Sequence, residues 1–426
     1  MSAKTDLSVP APAFGHALRP YFHLASECIP TNNGSFGTTP AYVLEQRIKL
    51  LHLMEENPDR WFELIVRKKL QESLAQVAPL LNVSAADLAF VNNATSGANA
   101  VLRSAPTLLA AKGHSSSVLP NGRKRSLLRL STVYGGVRPV VQYVADTVGF
   151  NVIDVPVEYP ISDDDLVGRV EQAILDEQRL GGSVFAASLD AITSVPGVIV
   201  PFGRLCALCR KYDVLSVVDG AHAIGQIELD LAATEPDFFF TNLHKWLYVA
   251  RGAAVLYARK EYQSFIHPTV ISFGYANPSF RSEFDYTGTA DLTPYLTVPA
   301  ALEFRRWLGG EQVIRERNHK LCVEAAHKVA EIFATEVLLG LGSDGTAGTG
   351  LIANMANIAL PVPAGVSDET MLTLRADILQ SKQIAGQFYK HAGRWWIRIS
   401  VEVYNDLDDY VKLAEGIKEW LASKSA

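Results

Sequence analysis

Between residues 85 and 260 the chain alternates short apolar runs with longer stretches whose apolar residues recur every three or four positions. The short runs are "DLAFVNN", "SLLRLS", "FNVIDVPV", "SVFAASLD", "VLSVVDG", "DFFFTN" and "AAVLYAR". Apolar runs of this length, bounded by Gly, Pro, Asn, Asp or Ser, predict strands buried on both faces. Between them, "SGANAVLRSAPTLLAA", "LVGRVEQAILDEQRL" and "FGRLCALCRKY" carry the period of amphipathic helices. Strands separated by helices predict an α/β fold with a mainly parallel, doubly wound sheet. The segment "AKGHSSSVLPNGRKR" interrupts the alternation with Ser, Gly, Pro and a basic cluster, and is expected to be a solvated surface insertion.

After Pro299 the helical pattern lengthens, with a break expected at Gly309-Gly310. A strand-like "NMANIALPVP", a helix near "SDETMLTLRADILQ", a strand-like "RWWIRISVEVY" and a closing helix "DLDDYVKLAEGIKEWLA" follow. These predict a smaller α+β unit. The expected division is an N-terminal arm over 1–40, a large domain over 41–300 and a small C-terminal domain over 301–426.

Composition narrows the function. With 426 residues, 48% of them hydrophobic and 20% charged, the chain has the make-up of an ordinary globular protein. A net charge of -6 gives no reason to expect nucleic acid or an anionic membrane as partner. No uncharged run reads as a bilayer span, and "MSAKTDLSVPAPAFG" lacks the apolar core of a signal peptide, so a cytoplasmic protein is expected. Cys206 and Cys209 form a C-x-x-C, but inside a helical pattern; two buried helix cysteines are expected, and no metal site. Gly340, Gly342 and Gly345 spell G-x-G-x-x-G without a helix directly after, so a loop is expected there, not a dinucleotide fingerprint.

The candidate chemistry lies at strand ends. Asp219 closes an apolar strand at the carboxyl edge, where open α/β sheets bind ligands. Alone it is either a helix cap or a charge partner for a ligand. By the same count Lys245 ends the next strand but one, between His244 and Trp246, and these neighbours argue that it points inward. Asp219, His222 and Lys245 should therefore share one rim. A further strand end, "FVNNATSGANAVL", runs straight into a helix, and its Asn93, Thr95 and Ser96 offer hydroxyls and free N–H groups for a phosphate.

An amine, a carboxylate and a phosphate seat are what pyridoxal phosphate requires. A lysine holds the aldehyde as a Schiff base, a carboxylate keeps the pyridine nitrogen protonated, and the helix start holds the phosphate. A lysine in a drier pocket also has a lowered pKa, so it can act as nucleophile and then as base.

Six ordered blocks, "NNGSFGTTP", "NNATSGANAVL", "VDGAHAIGQ", "TNLHKWL", "YTGTADLTPYL" and "RISVEVYNDLDD", resemble the class V aminotransferase family of fold type I pyridoxal-phosphate enzymes. Within it the similarity is to the isopenicillin N epimerase-like branch, which includes hercynylcysteine sulfoxide lyases and cysteine desulfhydrase-like proteins. The resemblance implies Lys245 as the Schiff-base lysine and Asp219 as the partner of the pyridine nitrogen. It puts His222 at the cofactor's phenolic oxygen, and Ala94, Thr95, Ser96, Asn242 and His244 around the phosphate. Thr289 would reach the phosphate of a neighbouring subunit, which implies a homodimer with shared active sites. Tyr134 falls where the family stacks an aromatic ring or His on the cofactor, and its phenol could be a general acid. Arg398 matches the arginine that grips the substrate carboxylate, with Asn32 and Asn33 lining the same side; relatives commonly carry His where Asn33 stands.

The reaction follows by elimination. Persulfide chemistry needs a reactive cysteine late in the chain, and the last one, Cys322, lies in a predicted helix. The leading expectation is a carbon–sulfur lyase acting on a cysteine-type or cysteine-sulfoxide amino acid. A specialised-metabolism enzyme of the same branch (epimerase, aminotransferase or bond-forming cyclase) and a non-catalytic cofactor-binding protein are the alternatives.

Overall fold

The computed structural model describes residues 3–275, 279–342, 345–363 and 365–425. All seven apolar runs are strands: β1 (Leu88–Val91), β2 (Ser126–Leu130), β3 (Asn151–Val155), β4 (Val184–Asp190), β5 (Leu215–Asp219), β6 (Phe238–Asn242) and β7 (Ala254–Ala258). They form one sheet in the order β1-β7-β6-β5-β4-β2-β3. The neighbours from β3 to β6 run parallel, while β7 is antiparallel to both β6 and β1. Every residue of β4, β5 and β6 is buried, because helices cover both faces; β3, at the edge, is partly exposed. An apolar core lies on each face of the sheet, and a third fills the smaller unit.

The "AKGHSSSVLPNGRKR" segment is a largely exposed loop carrying one isolated bridge, Val118 to Lys124. The expected helix break falls at Gly309-Gly310, both at positive φ, between helices Val298–Trp307 and Glu311–Phe333. Helix Val298–Trp307 packs against the large-domain helices Ala41–Glu56 and Val66–Leu81. The smaller unit holds a three-stranded antiparallel sheet of β10 (Met355–Ala359), β12 (Arg394–Ser400) and β11 (Gln387–His391), backed by helices Glu311–Phe333, Asp368–Lys382 and Leu407–Ser425. A two-residue ribbon, β8 (Gly340–Leu341) with β9 (Ala347–Gly348), occupies the glycine-rich stretch, and a single 3-10 turn, Thr349–Leu351, leads from it to β10 without an α-helix between. Cys206 and Cys209 are buried in helix Phe202–Lys211, and burial pushes the Cys206 thiol up to about 12. No helix of the described residues is long and apolar enough to cross a membrane.

The arm ties the units together. Gly15 N–H donates to the Val403 carbonyl at 2.8 Å and Ser400 N–H to the Thr31 carbonyl at 2.8 Å, so residues 15–31 run along the small unit. The next turn, Asn33–Phe36, docks on the segment that carries Lys245. Gly37 closes that turn at φ 68°. A Cβ there would lie 1.8 Å from the His244 carbonyl oxygen, so only glycine lets the arm approach this closely.

Candidate active site

Lys245 lies closer to Asp219 in the topology than the strand count predicts. β6 directly follows β5 in sequence and pairs with it, Asp219 facing Phe240, and the one-turn helix Leu243–Trp246 starts where β6 stops. The "next strand but one" is therefore corrected to the next strand. Parallel neighbours open at the same rim, and Asp219, His222 and Lys245 line one cavity of about 250 Å³.

Lys245 Nζ is 3.1 Å from His222 Nε2, and Trp246 Nε1–H donates to His222 Nδ1 at 3.3 Å. Indole nitrogen can only donate, so Nδ1 is the acceptor and the proton of the neutral ring sits on Nε2. That N–H meets a lone pair in the fraction of Lys245 that is uncharged. The electrostatics agree. Burial, with Lys245 and Arg398 adding repulsion, holds His222 well below the ordinary imidazole range. Burial lowers Lys245 to about 8, against the pull of Asp219 and with the help of Arg398. A fraction of the amine is therefore free at neutral pH.

Asp219 is raised to about 6 by burial, opposed by the Ala221 N–H at 2.8 Å and by the charge of Lys245. It remains mostly a carboxylate at neutral pH. Sequence reasoning missed its neighbour. Asp190 ends β4, is the Cα partner of Asp219, and lines the same cavity. Its Oδ2 is buried without a hydrogen-bond partner. Burial, then the Asp219 charge, lifts its carboxyl well above the usual range. Between the two, the proton belongs on Asp190: Asp219 has a backbone donor and a facing cation, and Asp190 has neither. The signal was present, since "SVFAASLD" ends in a carboxylate as "VLSVVDG" does.

The phosphate seat is smaller than expected. Asn93 caps helix Ala94–Arg103, and its Oδ1 accepts from both the N–H and the hydroxyl of Ser96. Ser96 borders a different cavity, with Asn92, Thr287 and Tyr295. The Ala94 N–H donates to Asn242 Oδ1 at 2.9 Å. Ser96 is thus corrected out of the Lys245 cavity, and the Ala94 N–H is already satisfied. Thr95 is the residue of this turn whose N–H and hydroxyl have no partner among the described residues, and it lines the cavity with Asn242 and His244. His244 Nδ1–H donates to the Ala253 carbonyl at 2.8 Å, which leaves Nε2 without a proton in the neutral ring, and burial lowers its pKa. An anion taking a hydrogen bond from Nε2 must therefore be accompanied by a proton.

Tyr134 borders the cavity, 44% exposed. Arg398, almost fully buried, donates to the Ser194 carbonyl at 2.8 Å, Asn32 Oδ1 at 2.9 Å and Ser35 Oγ at 3.2 Å. Its Nε has no partner. Burial brings its pKa down to about 10, still cationic at neutral pH. Asn33, expected on the substrate side, is engaged elsewhere. Its amide donates to the Lys245 carbonyl at 3.0 Å and to Glu402 at 3.3 Å, and accepts from the Tyr404 hydroxyl at 3.2 Å. Asn33 fastens the arm to the lysine turn; neither it nor Asn32 lines the Lys245 cavity, and both line the cavity next to it. Thr289 is exposed, bonded to the Tyr286 hydroxyl at 3.0 Å, and lies outside the cavity of its own chain. The described residues contain no cluster of His, Cys, Asp or Glu that could hold a metal.

The cavity thus offers a partly neutral amine, a carboxylate, a neutral carboxyl with an unsatisfied oxygen, and a free threonine at a helix start. That donor set fits pyridoxal phosphate, whose aldehyde, ring heteroatoms and phosphate each need one of these partners.

Comparison with known proteins points the same way. The model of the family described as aminotransferase class-V matches residues 159–349. An L-cysteine desulfhydrase-like protein of Epichloe uncinata is 30% identical, the alignment covering 95% of this chain and 93% of that protein. The hercynylcysteine sulfoxide lyase of Schizosaccharomyces pombe is 29% identical, over 96% of this chain and 98% of its own. Among solved structures, the apo cysteine desulfurase of Thermococcus onnurineus NA1 superposes with a TM-score of 0.73 at 16% identity, covering 97% of this chain and 100% of that one. The last likeness is one of fold.

Proposed function

This chain belongs to the class V aminotransferase family, and from that premise we propose that it is a pyridoxal-phosphate-dependent carbon–sulfur lyase. Its substrate would be an amino acid with a sulfur or sulfoxide substituent on the β-carbon. The net reaction adds one water and yields pyruvate, ammonia and the sulfur product carrying a proton. The observation that carries this reading is the single cavity in which Lys245, Asp219 and Thr95 converge.

When bound, pyridoxal phosphate supplies an aldehyde that takes up the substrate amine and a cationic ring that draws electrons from Cα. Lys245 would hold the aldehyde, which its depressed pKa permits, and then move the Cα proton as a base. Asp219 would keep the ring nitrogen protonated; its own pKa of about 6 leaves it charged at neutral pH. Thr95, Asn242 and a protonated His244 would hold the phosphate, completed by Thr289 of a second copy in a homodimer. Arg398, cationic and held by Asn32 and Ser35, would grip the α-carboxylate. Tyr134, at the open side, would donate a proton to the departing sulfur.

Persulfide chemistry is disfavoured by the thiols themselves. Cys322 is fully buried in helix Glu311–Phe333, and burial raises its pKa. The test offers S-alkylcysteines and their sulfoxides to the holoenzyme and measures pyruvate and ammonia. Stoichiometric release supports the lyase; racemised or transaminated product without pyruvate rejects it.

A further inference from the structure

The arm turn that borders the Lys245 cavity also borders a second one. This cavity, about 310 Å³, is enclosed by the arm around Cys28–Pro30, by the turn from Asn32 to Thr38, and by helix Asp368–Lys382; Phe36 lines both cavities. Its volume is that of a small-ligand pocket. Among the described residues two cations line it, Arg251 and Arg375, and no acidic residue does, in a chain whose net charge is -6.

The two arginines differ. Arg251 is committed, with Nε donating to the Phe36 carbonyl at 3.1 Å and a terminal nitrogen to the Gly37 carbonyl at 2.6 Å. Arg375 has neither a hydrogen-bond nor an ion-pair partner among the described residues, although it is partly buried. Its helical neighbours at three and four positions, Met371, Leu372, Ile378 and Leu379, are all apolar, so no carboxylate on its own helix faces it. Its charge also acts on Arg398. A guanidinium left without a counter-charge, at an apolar cavity beside the carboxylate grip, has the chemistry of an anion receptor.

Resting on the lyase reading above, we infer that this cavity receives the far end of the substrate's sulfur substituent, and that this end is an anionic group, carboxylate or sulfonate, held by Arg375. Arg398 takes the α-carboxylate, the substituent passes Phe36, and Arg375 takes the second charge. The substrate class narrows from cysteine conjugates in general to those with an acidic tail.

The experiment uses two ligands that lack the amino group and so bind without reacting. Thiodipropionate has an acidic tail, and propylthio-propanoate has a neutral one. Calorimetry on the holoenzyme should find the acidic-tailed ligand bound at least about tenfold tighter, a difference of about 1.4 kcal/mol. Arg375→Gln should erase that preference while leaving the neutral-tailed affinity within about twofold, which also shows that the variant is folded. Equal affinities in the wild type, or a preference that survives in the variant, overturn the inference. Pyruvate release from S-carboxyethyl-cysteine and S-propylcysteine separates the two readings. If neither yields pyruvate while the calorimetric preference holds, the anion receptor stands and the lyase falls. If both react equally and no preference exists, the lyase stands and the receptor falls.

Discussion

Replacing Asp190 by asparagine should stabilise the apoprotein, and by an amount that grows with pH. Asp190 and Asp219 end adjacent strands as Cα partners, and Asp190 Oδ2 has no hydrogen-bond partner. Burial and the Asp219 charge keep the Asp190 carboxyl protonated well above its ordinary value of 3.8, whereas the unfolded chain releases that proton near 3.8. Above 3.8 the native state therefore binds the extra proton, and stability falls as pH rises, by about 1.4 kcal/mol per unit, until Asp190 itself ionises. Asparagine has the same shape and no proton to retain, so it escapes this cost. The two proteins should be equally stable at pH 4, and the variant's lead should widen with rising pH for as long as Asp190 keeps its proton. Urea midpoints of both apoproteins across this range test the difference. A difference that does not change with pH, or a wild type that is the more stable at pH 6, would mean that Asp190 is ionised and partnered, and would refute the reasoning.

Three further outcomes are expected. Covalent capture of pyridoxal phosphate by the apoprotein, followed by absorbance, should speed up about tenfold per pH unit and level off near 8, where Lys245 loses its proton; a rise continuing toward the ordinary 10.5 would contradict the buried amine. Gly37→Ala should cost at least about 2 kcal/mol in urea unfolding, through positive φ and the clash with the His244 carbonyl oxygen; a change under about 0.5 kcal/mol would mean that the arm does not dock as described. Cys28→Ser should leave pyruvate formation within about twofold, because Cys28 is the one cysteine with appreciable exposure and burial raises even its pKa; a hundredfold loss would revive thiol chemistry.

Strand ends were the legible part of this site. An apolar run that stops at a carboxylate or an amine marks the sheet rim on sequence alone, so Asp219 and Lys245 could be placed before any coordinates. Asp190 satisfies the same rule, but the sequence does not show that β4 pairs with β5 and so sets this carboxylate beside Asp219. The partners of Ser96 and Asn33 were hidden for another reason: hydrogen-bonding side chains choose the partner that folding brings nearest. Asn93 took the N–H and hydroxyl of Ser96, and the Lys245 carbonyl with Glu402 took the amide of Asn33. The antiparallel direction of β7 and its insertion between β1 and β6 were equally hidden, since periodicity reports burial and not pairing. Strand β11 escaped because its partly exposed pattern lacks the apolar run that marked the others. Arg375 is unremarkable in sequence; only the packed helix reveals that it has no partner.

In the proposed enzyme the amine of Lys245 holds the cofactor aldehyde. Borohydride reduction of the holoenzyme, digestion and mass spectrometry test it directly. The reduced phosphopyridoxyl group should be found on the peptide that contains Lys245, and in Lys245→Ala no peptide should carry it. The group on a different lysine, or an unmodified Lys245 peptide from fully loaded wild type, would contradict the assignment of this cavity.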